Sequence, residues 1–332
     1  MIRISLCMIV KNEEKVLARC LDSIVDLMDE IIIVDTGSSD KTKEIAAKYT
    51  DKIYDFEWID DFSAARNFAF SHATMEYIYT ADADEVLSEE NHRMFAALKQ
   101  SMSDNIDIVQ MKYGNQLAFD SVYNFDEEYR PKLFKRVRNF VWEGAIHETV
   151  RLDPIIYDSE IVITHLPEQS HAKRDLKNFA KQIRQGVRLP KRLHNMYARE
   201  LIMAGEEQDF FEAMDFFMDS AADTERDAEE IEEACCVVAK AARLKQDVVT
   251  FFKYTSKVIA GEGCSEICYE LGRFYEEQGD LDEASIWYYN SAFETEPALC
   301  LRIKTQDALE GLANCYEKMG LPELAQEYRE QK

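Results

Sequence analysis

The strongest constraint on this chain lies in its first 110 residues, where short apolar runs of β character alternate with segments whose apolar residues return every four positions. Ile2 to Val10 is the first run. After Lys11-Asn12-Glu13-Glu14, the pairs Val16/Leu17, Cys20/Leu21 and Ile24/Val25 put one apolar face on a helix. Ile31-Ile32-Ile33-Val34 shows no alternation, the mark of a strand covered on both faces, as parallel strands are. Asp35-Thr36-Gly37-Ser38-Ser39-Asp40 turns the chain, with Asp40 as the N-cap of a helix reaching Tyr49. A third strand follows at Lys52 to Phe56, a helix at Phe62 to Ala73 and a fourth strand at Met75 to Ala81. This series predicts an open α/β domain with a mainly parallel sheet and right-handed crossovers. Such sheets bind ligands at the carboxyl ends of their strands, where Lys11, Asp35 and Asp82 stand.

The fourth run closes on Asp82-Ala83-Asp84-Glu85. In extended chain, residues two apart share a face, so Asp82 and Asp84 aim into one small space. Two carboxylates that close repel each other unless a divalent cation, itself holding phosphate oxygens, sits against them. A solvated acidic loop is the plain alternative. The formal net charge of -25 argues against a nucleic-acid partner, so a phosphate-bearing ligand needs local cations or a metal.

Four strings in order carry a family resemblance: Cys7-Met8-Ile9-Val10-Lys11-Asn12-Glu13-Glu14, Val34-Asp35-Thr36-Gly37-Ser38-Ser39-Asp40-Lys41-Thr42, Phe62-Ser63-Ala64-Ala65-Arg66-Asn67 and Asp82-Ala83-Asp84-Glu85. Together they resemble the donor-binding half of family 2 glycosyltransferases of the GT-A fold, a Rossmann-like α/β architecture. The resemblance implies inverting transfer of a sugar, hexosyl in type, from a nucleotide diphosphate, with Mn²⁺ or Mg²⁺. It implies a donor site at Val10, Asp35, Arg66 and Asp82: Asp35 on the nucleobase, Arg66 near base and diphosphate. Asp82 and Asp84 hold ribose and metal, with Asp84 the more direct ligand. The residue types suit the chemistry. A strand-end Asp accepts the imide hydrogen of uracil or thymine, and a cation neutralises the leaving diphosphate. Asp35 as a turn cap and Arg66 as a solvated helix residue are the duller readings.

Past residue 105 the pattern is less regular, with strands at Ile106 to Met111 and Leu133 to Arg136. Gly114 to Pro131 between them is long enough for an acceptor-binding loop. Trp142-Glu143-Gly144-Ala145-Ile146-His147-Glu148 resembles the Trp-x-Gly-x-x-His-Glu element of a bacterial subset of these enzymes. Inversion needs a base opposite the leaving group, and a carboxylate with a raised pKa serves. Glu148 is the candidate and Glu143 the reserve, with His147 orienting the acid or approaching the metal. The strand Ile161 to Pro167 closes the catalytic domain, expected over residues 1–170. Its His165 is placed to complete a metal shell, whereas His171 reads as structural.

Lys173, Lys177, Lys181, Arg184 and Arg188 then fall at spacings of four, four, three and four, a cationic stripe on a connecting helix expected over 171–195. Lys173 and Arg174 are assigned to the donor diphosphate and the rest to an interdomain salt network with the acidic segment Glu206 to Glu233, a plain solvated stripe being the equal alternative. From 196 to 332 the chain reads as all helical. Cys268, Leu271-Gly272, Tyr275, Gly279, Ala284 and Tyr288 occupy tetratricopeptide-repeat positions. Leu309, Leu312-Ala313, Tyr316, Gly320 and Ala325 repeat them 41 residues on, against the usual 34. The excess predicts an extended helix or loop around Leu299 to Gln306. An array of this kind suits a peptide or glycan acceptor, or a second protomer in a homodimer. Family members of this two-part layout include bacterial enzymes that glycosylate a secreted peptide and others that build surface glycans. The competing reading is a non-catalytic scaffold whose first domain senses a sugar nucleotide.

With 332 residues, 46% of them hydrophobic, two cores can be filled. The 8 Cys include no Cys-x-x-Cys and suit buried, reduced thiols. No run of eighteen apolar residues occurs and the chain enters a strand at once, so the expectation is a cytoplasmic protein without a transmembrane helix or secretory signal.

Overall fold

The computed structural model describes residues 1–114, 128–138, 140, 142–143, 149–150, 154–166 and 172–331, the side chains of 142, 143, 149, 150 and 172 excepted. The chain forms two compact units, Met1–Ser170 and His171–Lys332.

In the first unit β1 (Ile4–Val10) lies parallel to β2 (Glu30–Asp35) on one side and to β4 (Tyr77–Thr80) on the other, and β3 (Ile53–Asp55) extends the parallel set beyond β2. The eight-stranded sheet has the order β3-β2-β1-β4-β7-β6-β10-β5, where β5 is Glu85–Val86, β6 Ile108–Gly114, β7 Glu128–Lys135 and β10 Ile156–His165. Strand β7 runs antiparallel to both β4 and β6, and β5 antiparallel to β10. The sheet is therefore mainly parallel, as the alternation requires. Two short strands, β8 (Trp142–Glu143) and β9 (Thr149–Val150), form a separate ribbon.

Period two decides which side chain faces which layer. Leu6, Met8, Val10, Ile33 and Tyr79 pack under Leu17 and Leu21 of α1 (Leu17–Asp22) and Phe95 of α4 (Glu89–Ser101). Cys7, Ile32, Val34 and Ile78 face the other way, against Ala69 of α3 (Phe62–Ser71). Both faces are covered, so the strands need apolar residues at every position. Each fully buried Leu or Ile contributes about 1.5–3 kcal/mol.

Two local expectations shift. Strand β4 stops at Thr80, so Asp82 and Asp84 lie in the turn to β5, not on extended chain. Helix α2 (Thr42–Ala46) is shorter than expected and Lys41 holds its cap position. Asp40 still serves its start, accepting the Thr42 N–H at 3.0 Å.

The second unit is helical: α5 (Ala172–Arg184), α6 (Lys191–Ala204), α7 (Glu207–Ser220), α8 (Ala228–Leu244), α9 (Val248–Ile259), α10 (Ser265–Gln278), α11 (Leu281–Tyr289), α12 (Ala308–Lys318) and α13 (Pro322–Glu330). Helices pack on their successors from α7 to α9 and from α10 to α13, and α8, α10 and α12 also touch one another in turn, as stacked repeats do. Gly279 and Gly320 end α10 and α12 at φ +80° and +81°, left-handed positions that glycine takes without strain. They sit at matching points of the two repeats. The extra length between α11 and α12 contains π-helical turns at Asn290–Glu294 and Ile303–Asp307. No described helix is long and apolar enough to cross a membrane.

The cationic stripe meets acids inside this unit. Lys173 reaches Glu206 at 2.5 Å, Arg184 meets Glu212, and Arg188 reaches Asp223 at 2.9 Å. Arg174 contacts Asp175 at 3.1 Å. The cations of these pairs are at least half exposed or nearly so, and exposed pairs of this kind contribute about 0–1 kcal/mol each.

Candidate active site

The site grows from the carboxyl ends of β1, β2 and β4. The Val10 carbonyl accepts both the Thr36 N–H (2.9 Å) and the Thr36 hydroxyl (3.1 Å), which ties the loops after β1 and β2 together. Asn12, at φ 57°, accepts the Ser39 N–H at 2.8 Å, and Glu14 accepts the Lys41 N–H at 3.0 Å while its own N–H donates to Asp40. Much of the Lys11-to-Glu14 and Ser38-to-Thr42 motifs thus acts as a clasp that fixes the position of Asp35.

Asp35 ends β2 and is only 2% exposed. Its Oδ2 accepts the N–H groups of Gly37 (3.1 Å) and Ser38 (3.0 Å). Its Oδ1 is buried and accepts nothing from the described residues. A buried acceptor left open is costly unless a ligand supplies a donor.

Arg66 projects from the second turn of α3, whose start is held by Asp61 accepting the Ala64 N–H (3.1 Å) and the Ser63 hydroxyl (2.7 Å). Its Nη2 contacts Asp82 Oδ1 at 3.2 Å, and the Arg66 side chain is 15% exposed. Asp84 is turned elsewhere: its Oδ2 meets Nε2 of His165, at the end of β10, at 3.1 Å. The Asp84 carbonyl also accepts the Leu166 N–H at 2.9 Å, and β5 pairs Glu85 with His165. Direct contacts thus make two pairs, Arg66 with Asp82 and Asp84 with His165, joined by the short turn from Asp82 to Asp84. Val10 and Asp35 stand on the adjoining strands at the same sheet edge. Glu148 and His147 lie outside the described residues, as does the side chain of Glu143, whose backbone belongs to β8. Lys173 and Arg174 belong to the second unit, with the partners given above.

Sequence reasoning missed a cationic strand. Across β6, Val109 pairs with Leu133 but Gln110 pairs with Pro131, so Lys132 is an extra residue, a bulge in β7. Bulges re-aim side chains and tolerate proline. Lys132, 5% exposed, turns onto the buried Glu85 carboxylate. Arg130 lies 3.9 Å from the ring centroid of Tyr113, which is itself 5.3 Å from the His165 ring. The signal was present as Arg130-Pro131-Lys132 beside Leu133-Phe134, but the proline and charges read as loop.

The electrostatics separate the acids. Desolvation opposes ionisation of Asp82, but the charges of Arg66, Lys132 and Arg130 outweigh it and hold its carboxyl well below the usual carboxylate range. Glu85 goes the other way. Burial first, with help from the charges of Asp82 and Asp84, raises it to about 7 in spite of Lys132.

A mainly parallel sheet whose fourth strand delivers paired carboxylates, flanked by cations and an imidazole, defines an α/β domain of the GT-A kind, followed by helical repeats. Residues 5–151 of the N-terminal unit match the family model of Glycosyl transferase family 2. The chain is 33% identical over 159 residues to the SPbeta prophage-derived glycosyltransferase SunS of Bacillus subtilis, a match covering 46% of this chain and 35% of that protein. It is 51% identical over 87 residues to a TPR repeat-containing protein of Synechococcus elongatus, covering 26% of this chain and 22% of that one. The chain therefore spans about a third or less of the length of these curated relatives. A crystal structure of glucosyl-3-phosphoglycerate synthase from Mycobacterium tuberculosis in complex with Mn²⁺ and UDP-glucose superposes with a TM-score of 0.40 at 13% identity, over 57% of this chain and 80% of that one.

Proposed function

We propose that the protein is an inverting glycosyltransferase that moves a hexosyl group from a uridine diphosphate sugar to a peptide, protein or glycan acceptor. The reading rests above all on one observation: Asp84 and His165 present a carboxylate and an imidazole to one point, 3.1 Å apart, beside an Asp82 kept ionised by Arg66. An oxygen and nitrogen donor set of that kind fits Mn²⁺ or Mg²⁺. Bound there, the cation would supply electrostatic stabilisation to the departing diphosphate.

The chain's own residues would do the rest. Asp35 Oδ1 would accept the imide N–H of uracil, with Val10 beside it on β1. Arg66 would offer its charge to the diphosphate while holding Asp82. Glu148 would take the hydroxyl proton of the acceptor as the acceptor oxygen bonds to the sugar's anomeric carbon. The bond from that carbon to the diphosphate oxygen breaks on the opposite face, and nucleoside diphosphate leaves. Glu143 is the alternative base, and His147 would orient whichever acid acts. The helical unit would hold the acceptor or a second protomer. The name of the Bacillus relative supports sugar transfer.

The test is calorimetric binding of UDP-glucose with Mn²⁺, together with slow UDP release in the absence of acceptor. Both should occur with the full chain, and Asp84→Ala should abolish the release. Folded protein that binds no uridine nucleotide in the presence of Mn²⁺ overturns the reading.

A further inference from the structure

Away from the sheet, the helical unit holds a buried cluster that sugar transfer does not use. Cys236 Sγ on α8 lies 3.4 Å from Cys264 Sγ, which caps the start of α10. Two residues on, Glu266 brings a carboxylate oxygen close enough that the three ligand atoms all lie within 4.8 Å of one another. The three residues are 0%, 2% and 1% exposed.

We propose that Cys236, Cys264 and Glu266 supply three ligands of a site for one zinc-class divalent cation that pins α8 to the start of α10. The distances suit it. Two thiolates on a tetrahedral zinc, at about 2.3 Å each, stand roughly 3.7 Å apart, so the pair needs to open by only a few tenths of an ångström. Glu266 is already oriented: it accepts the N–H groups of Ala298 (2.9 Å), Leu299 (2.8 Å) and Cys300 (2.8 Å), the outer support that ligating carboxylates usually have. Its two oxygens offer about four lone pairs, so one remains for a metal. Thiol and carboxylate donors together, closed from solvent, select a borderline-soft ion of structural type. Binding converts two thiols to thiolates, releases two protons and forms two metal–sulfur bonds, so affinity rises with pH.

The site is tested on the reduced full chain carrying Asp84→Ala, which removes the donor-site carboxylate. Cobalt(II) is titrated into protein first stripped with a chelator. One equivalent should give thiolate-to-cobalt charge-transfer absorption and tetrahedral d–d bands, bleached by zinc, with release of two protons per metal. Cys236→Ser and Cys264→Ser should each abolish the thiolate band, and Glu266→Gln should weaken binding about tenfold or more. Absence of the band or of the proton release in the reduced, folded parent chain overturns the proposal, and this outcome does not depend on any cysteine variant folding. A band that persists in Cys236→Ser moves the metal to other thiols and also overturns it. So does a Cys236–Cys264 disulfide in the purified chain that, once reduced, binds no cobalt.

Discussion

Asp35→Asn separates the nucleobase reading from a merely structural one. In the folded chain one carboxylate oxygen is spent on the Gly37 and Ser38 N–H groups, and the other, buried, accepts nothing from the described residues. Asparagine can keep the first pair of bonds with its carbonyl, which leaves its NH₂ group where Oδ1 stood. That position then donates where the imide of uracil also donates. The lost interaction is a hydrogen bond to a charged acceptor, worth about 1.5–3 kcal/mol. At 1.4 kcal/mol per decade, UDP affinity should fall roughly 10- to 150-fold. Stability should barely change, because the turn bonds survive and the variant loses a buried charge in exchange for a buried donor. Calorimetric titration of UDP with Mn²⁺ reads the affinity and thermal denaturation reads the fold. A variant that melts with the parent and binds UDP within twofold of it refutes the role of Oδ1 and returns Asp35 to a turn cap.

Gly311→Ala should destabilise the helical unit, since a Cβ there would stand 2.6 Å from Cε1 of the buried Tyr288 ring, and a Cβ at Gly272 would likewise stand 2.7 Å from Cδ1 of that ring. Overpacking of this kind costs about 1–3 kcal/mol, and a melting temperature unchanged to within a degree contradicts it. Glu85→Gln should flatten the pH dependence of stability between about 4.5 and 7: with its folded pKa raised to about 7, the native Glu85 holds its proton after the unfolded chain has lost its own, so its contribution fades as pH rises through that window. Asp82, held low, acts with the opposite sign and only in more acidic solution, losing its contribution as pH falls below the ordinary carboxylate range. Urea titrations at pH 5 and 7 read the difference, and equal slopes in parent and variant count against a buried protonated Glu85. Glu148→Gln should bind UDP-glucose as the parent does while losing transfer, and near-parental transfer moves the base to Glu143 or another acid.

How much of this was legible in the sequence depended on burial. Ile31 to Val34 announced a strand covered on both faces because nothing but a parallel sheet needs four consecutive apolar side chains there, and all four are 8% exposed or less. Asp35, Arg66, Asp82 and Asp84 were singled out because their motifs come in order. The clasp between Asn12, Glu14, Ser39 and Asp40 was not, since side-chain-to-backbone bonds across two loops leave no periodic trace. Strand β7 was read too short because Glu128-Tyr129-Arg130-Pro131 lacks the apolar alternation of a strand, and its bulge at Lys132 is set by pairing with β6 rather than by local preference. The first helix was read too long. It ends at Asp22, where the Ser23 hydroxyl donates to the Cys20 carbonyl at 2.7 Å and accepts the Leu87 N–H at 3.2 Å, a contact 64 residues away in sequence. Cys236 and Cys264 gave no motif because their approach is made by packing α8 on α10.

The charges around Asp82 carry a further consequence for how donor and metal bind. In a chain of net charge -25, three cations, Arg66, Arg130 and Lys132, act on the group that holds Asp82, Asp84 and Glu85. Three against three leaves the site close to neutral once Glu85 has lost its proton near pH 7. A diphosphate entering alone would add uncompensated negative charge to a site within an acidic protein. A divalent cation entering alone would do the reverse, and the two together nearly cancel. Their binding should therefore be positively coupled, each raising the affinity of the other by the same factor. UDP titrations with and without Mn²⁺, and Mn²⁺ titrations with and without UDP, measure that factor twice. Equal UDP affinity in the two conditions would mean that Arg66, Arg130 and Lys132 compensate the diphosphate unaided, and that Asp84 and His165 hold each other rather than a metal.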